Sequence, residues 1–289
     1  MKTAIFIFGI LAPVLVTDDK PELKMMSSAT IDSLGACQGA AYVDGKVYLY
    51  GDRETGMIRE YAVKDGSLQY SGKEIKLTVE SKDVINHPTG IAYQPGKPFF
   101  IGNSIRLNPE GTSWKAILYQ IDWETSKKKG TLDGNLIRTI EDDACIQGTR
   151  PEYVRYRGKW FVASADYGDK KNEVRLYDPE ALANADKTSK KGVLFKKFSC
   201  GAWVQNLHWV KEKGILILIQ NQIEGRKWRF TFLDLEKSVR AGEQHVIRTV
   251  DIDKADELEG FTFTTDNNTK GIAVTSSRKE NVHFVDVNW

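Results

Sequence analysis

Five polar residues recur along this chain roughly every 50 to 60 residues. Each is the first residue of a five-residue phrase. Its five positions hold, in order, a polar residue, usually a small residue, an apolar residue, a variable residue and an aromatic residue. The opening residues are Gln38, Thr89, Glu152, Gln205 and Glu259. Calcium takes about 6–8 oxygen ligands, and two converging carboxylates need a cation, a shared proton or water. If the fold brings these residues together, Glu152 and Glu259 are predicted to hold calcium, and the other three complete the site.

Other residues have side chains suited to proton transfer or ligand binding. His87, Asp52 and Asp166 are candidate catalytic residues, because imidazole and carboxylate side chains act as general acids and bases in enzymes. Arginine binds carboxylate or phosphate through two parallel hydrogen bonds, and amides supply both donors and acceptors. The candidate ligand-binding residues are Arg53, Arg150, Asn103, Asn206, Asn221 and Arg278. The alternative is structural, with arginines paired to neighbouring carboxylates and the polar residues hydrating the interior of the fold.

The segments between these residues have the pattern of β-strands. Apolar residues alternate with a period of two or form short runs rich in β-branched and aromatic residues, which disfavours helices. Four strands are predicted in each of the first four repeats. Hairpin turns are expected at Asp44-Gly45 and Asp65-Gly66, because both residues of such turns need positive φ. The aromatic residue that closes each phrase is predicted to pack against the next repeat as core, and the phrase glycines allow backbones to approach closely.

The fifth repeat shows three strands: Gly260–Thr264, Gly271–Thr275 and Asn281–Val287. The segment Ser27–Leu34 is predicted to supply the fourth strand, so that the two ends of the chain pair and close a ring. We therefore predict an all-β fold, a five-bladed β-propeller with four-stranded blades, as a single domain over residues 27–289. Since neighbouring strands are antiparallel, the starts of first strands and the ends of second strands share one face. The candidate residues are expected at that face.

The first residues of the chain have a pattern typical of a secretory signal peptide. Lys2 precedes an apolar run, Ala4–Val16, which is shorter than the about 20 residues of a membrane span. Residues 1–18 are therefore predicted to be a signal peptide. The protein is expected to be secreted or periplasmic, without a membrane span, and monomeric. The net charge of +2 and lysine clusters without interleaved aromatics argue against a nucleic-acid partner.

Two motifs resemble those of a known family. Asp52-Arg53-Glu54-Thr55-Gly56 follows the second predicted strand, and Glu259-Gly260-Phe261 opens the last repeat. With five repeats, they resemble the secreted five-bladed calcium-activated nucleotidases, or apyrases, and more loosely the calcium-dependent lactonase and esterase propellers. The resemblance implies calcium held in the channel by the two phrase-opening glutamates, and a nucleotide-facing rim that includes Asp52 and Arg53. The other three phrase-opening residues depart from the acidic or serine residues of that family.

Three functions remain open on the sequence alone. The first is an exported calcium-dependent hydrolase that acts on an ester, lactone or phosphate at the channel mouth. The second is a non-catalytic propeller that binds a glycan, a peptide or a small polar or anionic ligand on the same face. The third is a five-bladed glycosidase, which needs two carboxylates about 5–9.5 Å apart. A close Glu152–Glu259 pair favours the hydrolase, and a salt-bridged channel favours the binding protein.

Overall fold

The computed structural model describes residues 20–52, 55–145, 147–170, 172–221, 227–254 and 256–289 of the 289-residue chain. Within them, five antiparallel sheets of four strands each are present, and two short strands form a separate hairpin. The innermost strands of neighbouring sheets contact one another around a ring, so each sheet is one blade of a β-propeller. The predicted all-β, five-bladed propeller with four-stranded blades is confirmed.

The strands follow one another blade by blade, except that β1 (Glu22–Ala29) belongs to the last blade. The first blade contains β2 (Cys37–Val43), β3 (Lys46–Asp52), β4 (Gly56–Lys64) and β5 (Ser67–Lys76). The separate hairpin contains β6 (Thr78–Val79) and β7 (Lys82–Asp83). The second blade contains β8 (Pro88–Ala92), β9 (Phe99–Arg106), β10 (Trp114–Ile121) and β11 (Leu136–Glu141).

The remaining blades have the same order of strands from the channel outwards. The third blade contains β12 (Glu152–Tyr156), β13 (Lys159–Ala165), β14 (Glu173–Tyr177) and β15 (Leu194–Ser199). The fourth blade contains β16 (Val204–Val210), β17 (Ile215–Asn221), β18 (Trp228–Asp234) and β19 (Val246–Ile252). The fifth blade contains β20 (Leu258–Phe263), β21 (Lys270–Thr275), β22 (Val282–Asn288) and β1.

The N-terminal strand closes the ring as predicted, but with different bounds. The closing strand covers Glu22–Ala29 and pairs antiparallel with β22, whereas the sequence pattern placed it at Ser27–Leu34. A β-bulge between Met25 and Ser27 interrupts its alternation, and most of its side chains are exposed, so its apolar signal is weak. The turn that follows buries Leu34 completely, and this residue gives the later segment the apolar signal of a strand.

Three short helices link the third and fourth strands of blades two, three and four. They are α1 (Trp123–Lys129), α2 (Pro179–Ala183) and α3 (Leu235–Ala241). Each begins after an aspartate whose side chain accepts backbone N–H groups of the first turn. Among the residues that the structure describes, no helix is long and apolar enough to cross a membrane. The predicted signal peptide lies outside the described residues, and secretion stays a prediction.

The apolar core lies between neighbouring blades. Val154 and Tyr156 of β12 pack with Leu207 of β16, as predicted for the third and fifth residues of the phrase. Close approach at the centre depends on glycine, because a Cβ on Gly260 would lie only 2.8 Å from the Cα of Gly39. The centre of the ring is therefore narrow, and few side chains can enter the channel.

Candidate functional site

Seven polar side chains gather at the end of the channel where the innermost strands begin. We call this group the upper mouth, and it draws on all five blades or on the connections that precede them. Its members are Gln38, Asp52, His87, Arg150, Gln205, Glu257 and Glu259. All except Glu257 were singled out from the sequence.

The five phrase-opening residues are not equivalent in structure. In four blades, the pairing of the innermost strand skips this residue, which is the extra residue of a β-bulge. The skipped residues are Gln38, Thr89, Gln205 and Glu259. In the third blade the pairing is regular, with Glu152 opposite Ala163. Because a bulge re-aims side chains relative to a regular strand, Glu152 is directed differently from its four counterparts.

The carboxylate of Asp52 organises one side of the upper mouth. Its Oδ2 lies 3.1 Å from Nδ1 of His87 and accepts a 3.3 Å hydrogen bond from the Gln38 amide, while its Oδ1 accepts one from the N–H of Ala36 at 3.1 Å. The backbone N–H of His87 donates to Oδ1 of Asn103 at 2.9 Å. An imidazole whose Nδ1–H donates to a carboxylate has Nε2 as its proton acceptor. This side of the mouth is arranged to take a proton from a water or hydroxyl group.

A buried arginine occupies the other side of the upper mouth. Arg150 is 3% exposed, and its Nη1 donates to the backbone carbonyl of Gln147 at 3.1 Å. Its Nη2 donates to Oε1 of Gln205 at 3.3 Å, and the Gln205 amide donates to Glu257 at 2.9 Å. The guanidinium lies 5.3 Å from the ring centre of Tyr167. Among the described residues, no carboxylate forms an ion pair with this arginine, and its Nε is buried without a hydrogen-bond partner.

A second buried group, the carboxyl of Glu259, lies in the same electrostatic environment. Glu259 is 5% exposed, and burial raises the pKa of its carboxyl group well above the ordinary value. Glu257 and Asp52 raise that pKa further, while Arg150 lowers it. Burial lowers the pKa of Arg150, and the negative charges of Asp166 and Glu259 oppose that shift. The upper mouth thus combines a buried cation with carboxyl groups that do not neutralise it by direct contact.

A hydrogen bond crosses the channel below the upper mouth. The phenol of Tyr50, on β3, passes over Gly39 and accepts a 2.9 Å hydrogen bond from the amide of Asn206, on β16. A Cβ on Gly39 would collide with this phenol. Because the first and fourth blades are not neighbours in the ring, the bond spans the channel and divides it into two parts. Burial raises the pKa of Tyr50, and the charges of Glu152 and Glu259 both act in the same direction.

Glu152 lies in the other part of the channel, where the innermost strands end. With His208 it lines a space of about 180 Å³, which we call the lower cavity. Four partly buried aromatic side chains also line it: Tyr42, Tyr93, Trp160 and Trp209. Three of these close a phrase and were expected to be core, so this expectation was incomplete. They pack against apolar clusters and also border open space.

The five predicted calcium ligands do not form one set. Glu152 borders the lower cavity, whereas Glu259 belongs to the upper mouth, where Glu257, Asp52 and Arg150 shift its pKa. Thr89 donates its hydroxyl to the carbonyl of Thr149 at 2.5 Å, and Oε1 of Gln205 already accepts from a cationic guanidinium. In the part of the chain that the structure describes, no three His, Cys, Asp or Glu residues are grouped so that they could hold a metal. Calcium stays a prediction that no contact among these residues supports.

The remaining candidate residues in the described part of the chain are Asn221, Asp166 and Arg278. Asn221 exchanges two hydrogen bonds with the backbone at the start of β20, which is a structural role. Asp166 accepts a 2.9 Å hydrogen bond from the backbone N–H of Gln147 and borders a separate space of about 420 Å³ on the third blade. Arg278 is exposed, and Arg53 lies outside the described residues.

Two residues of the channel carried no signal that we recognised in the sequence. Glu257 precedes Glu259 by two positions and lies directly before β20. Tyr50 lies directly opposite Gly39 in the pairing of β2 with β3. The predicted hairpin turn fixes the register of these two strands, and that register pairs Gly39 with Tyr50. A glycine opposite an aromatic residue was therefore the signal in the sequence.

Comparison of this chain with known proteins finds only solved structures of low sequence identity. No protein-family model and no curated protein matches the chain. Hydrazine synthase of Kuenenia stuttgartiensis is 12% identical, with a TM-score of 0.43 over 86% of this chain and 58% of that chain. A chain of the mitotic checkpoint complex is 11% identical, with a TM-score of 0.46 over 86% of this chain and 61% of that chain. The chain thus spans less than two thirds of either protein.

A third solved structure, U3-55K, matches over nearly its full length. It is 7% identical, with a TM-score of 0.46 over 92% of this chain and 98% of that chain. Identities and scores this low carry no argument about function. The resemblance to apyrases and lactonases therefore stays a prediction.

Proposed function

We propose that the protein binds a small hydroxylated carboxylate, of the kind found in acidic sugars, at the upper mouth. The observation that carries this proposal is the buried guanidinium of Arg150, whose direct hydrogen-bond partners are neutral and whose Nε is unbonded. A buried charge without a direct counter-charge is costly to the fold, by several kcal/mol. A ligand carboxylate supplies that counter-charge through two parallel hydrogen bonds.

The neighbouring groups favour hydroxyl groups on the same ligand. The carboxyl groups of Glu257 and Glu259 can accept hydrogen bonds from hydroxyl groups of a ligand. Tyr167 lies beside the guanidinium of Arg150 and contacts Trp203 edge to face, with ring centres 4.9 Å apart. Aromatic rings pack well against the C–H face of a sugar ring, since both surfaces are apolar.

The pair formed by Asp52 and His87 favours hydrolysis as a second function of the same site. Their 3.1 Å contact orients the imidazole, and the side chain of His87 is 36% exposed. In an ester or lactone substrate, a water oxygen would bond to the carbonyl carbon while Nε2 takes the proton of that water. The carbon–oxygen bond to the leaving group then breaks, and the same proton passes to the departing oxygen. Arg150 would hold the substrate's carboxylate during both steps.

Calorimetric titration with D-galacturonate and with D-glucuronate tests the binding function. At least one acid should bind the native protein, and Arg150→Gln should weaken that binding at least about tenfold, since a hydrogen bond to a charged group is worth about 1.5–3 kcal/mol. The matched control is Arg278→Gln, which removes an exposed arginine and should leave the affinity unchanged. No binding of either acid to the folded native protein contradicts the proposal.

Hydrolysis needs a separate measurement on a variant of His87. D-Glucaro-1,4-lactone, which keeps a free carboxylate beside its lactone ring, serves as substrate, and His87→Asn should abolish its hydrolysis while D-galacturonate still binds. Equal turnover by the native protein and by His87→Asn would rule out the catalytic function and leave the binding function standing.

A further inference from the structure

The lower cavity has the dimensions of a binding site for a very small ligand. Its volume of about 180 Å³ is below the roughly 300–1,000 Å³ of pockets that hold drug-sized ligands. It opens at the end of the channel opposite to the upper mouth, and the Tyr50–Asn206 hydrogen bond lies between the two. A ligand of about the size of one sugar ring suits this space.

Two polar side chains of the lower cavity have hydrogen-bond donors and acceptors that no side chain of the described residues occupies. His208 has edge-to-face contacts with Phe261 and Phe263, at 5.6 and 5.2 Å between ring centres, and no hydrogen bond with any residue that the structure describes. The backbone N–H groups of Tyr153 and Trp209 act to lower the pKa of Glu152. Its carboxyl group has no side-chain hydrogen-bond partner among the described residues. Both side chains are only partly buried, since they border the cavity. A ligand that enters can therefore reach their polar atoms.

Burial favours the neutral form of both groups. It raises the pKa of Glu152 well above the ordinary value, and it lowers the pKa of His208 to about 4. The charged groups around them are Lys211, which lines the cavity, Asp44, which accepts from the hydroxyl of Tyr93, and Asp266, which acts on Tyr42. A neutral carboxyl group and a neutral imidazole each offer one donor and at least one acceptor. That set matches hydroxyl groups, which both donate and accept.

The aromatic residues of the cavity supply the rest of such a site. Trp160, Trp209, Tyr42 and Tyr93 line it and remain partly exposed, and the last three close a phrase, where the pattern predicts core. Aromatic rings provide rigid apolar surface at low cost in conformational entropy. We propose that the lower cavity binds a neutral sugar of monosaccharide size, with its hydroxyl groups on Glu152 and His208 and its C–H face against these rings.

Saturation-transfer NMR with four methyl glycosides tests this proposal on the full chain. The probes are the methyl glycosides of D-glucose, D-galactose, D-mannose and D-xylose. At least one should receive saturation from the native protein, and its affinity should fall at least about tenfold in His208→Phe, which keeps the aromatic contacts but loses the hydrogen bonds. Absence of saturation transfer to all four probes overturns the proposal.

Substitutions of Glu152 separate a neutral ligand from a cation. Glu152→Gln keeps a neutral group with a donor and an acceptor, so the glycoside should bind within about threefold of the native affinity, whereas Glu152→Leu should weaken it at least about tenfold. If Glu152→Gln loses as much affinity as Glu152→Leu, the negative charge is required and the proposal is wrong. Arg150→Gln is the control for the opposite end of the channel, and it should leave glycoside binding unchanged whether or not acidic sugars bind at the upper mouth.

Discussion

The upper mouth and the lower cavity belong to one channel, yet their chemistry differs. The upper mouth includes the bulged residues Gln38, Gln205 and Glu259, and it places the cation Arg150 among carboxyl groups. The lower cavity includes Glu152, whose strand pairs regularly, and places Glu152 and His208 among aromatic rings. The same five-residue phrase contributes to both. The regular register of one blade and the Tyr50–Asn206 bond accompany this difference between the two ends of a pseudo-symmetric channel.

The largest expected effect comes from a substitution that breaks both regions at once. Gly260→Val places side-chain atoms against the backbone of Gly39, and overpacking of this kind should lower the free energy of unfolding by about 3 kcal/mol. Denaturation by guanidinium chloride measures the loss. The control is Gly72→Ala, where φ is positive but the space is open, and it should cost only about 1 kcal/mol. Equal losses would show that the centre of the ring is not tightly packed.

A smaller effect should be confined to the lower cavity and should depend on pH. The pKa of His208 in the folded protein, about 4, lies below its ordinary 6.5, so the unfolded chain binds the proton more tightly. Its contribution to stability is present above pH 6.5 and is lost as the pH falls from about 6.5 to about 4.

His208→Phe should remove this part of the acid sensitivity, because phenylalanine keeps the ring contacts and has no proton to gain. Thermal unfolding of both proteins across this pH range provides the measurement. His87→Phe is the control at the upper mouth and should leave this part of the pH dependence in place. If His208→Phe and the native protein lose stability in parallel between these pH values, the imidazole is not kept neutral by burial.

The sequence predicts the propeller fold, but not the difference between the two ends of its channel. The propeller followed from strand periodicity and the Asp-Gly turns, because both depend on local chemistry. The division of the channel did not follow, since bulges depend on packing between blades and Glu152 opens its phrase like the other four residues. One hint was present: Tyr153 occupies the position where three other phrases have glycine and one has asparagine. A side chain of that size has no room at the crowded centre, and Tyr153 packs between blades instead. In the same blade, β12 pairs with β13 in a regular register.

The smallest of the stability effects concerns the boundary between the two regions. Tyr50→Phe removes the hydroxyl that accepts from Asn206, and leaving that buried amide unsatisfied should cost about 1–2 kcal/mol. Tyr70→Phe is the matched control, because Tyr70 is 48% exposed, and it should change the free energy of unfolding by less than about 0.5 kcal/mol. Chemical denaturation compares them, and equal values for the two variants would mean that the bond across the channel does not hold the blades together.

The independence of the two ends is tested most directly by titrating both classes of ligand into the same three proteins. D-Galacturonate and the best-binding methyl glycoside are added to the native protein, to Arg150→Gln and to His208→Phe. We expect Arg150→Gln to lose only the acid and His208→Phe to lose only the glycoside, each by at least about tenfold. A loss of both ligands in either variant, with the fold intact by thermal unfolding, would contradict two separate sites in one channel.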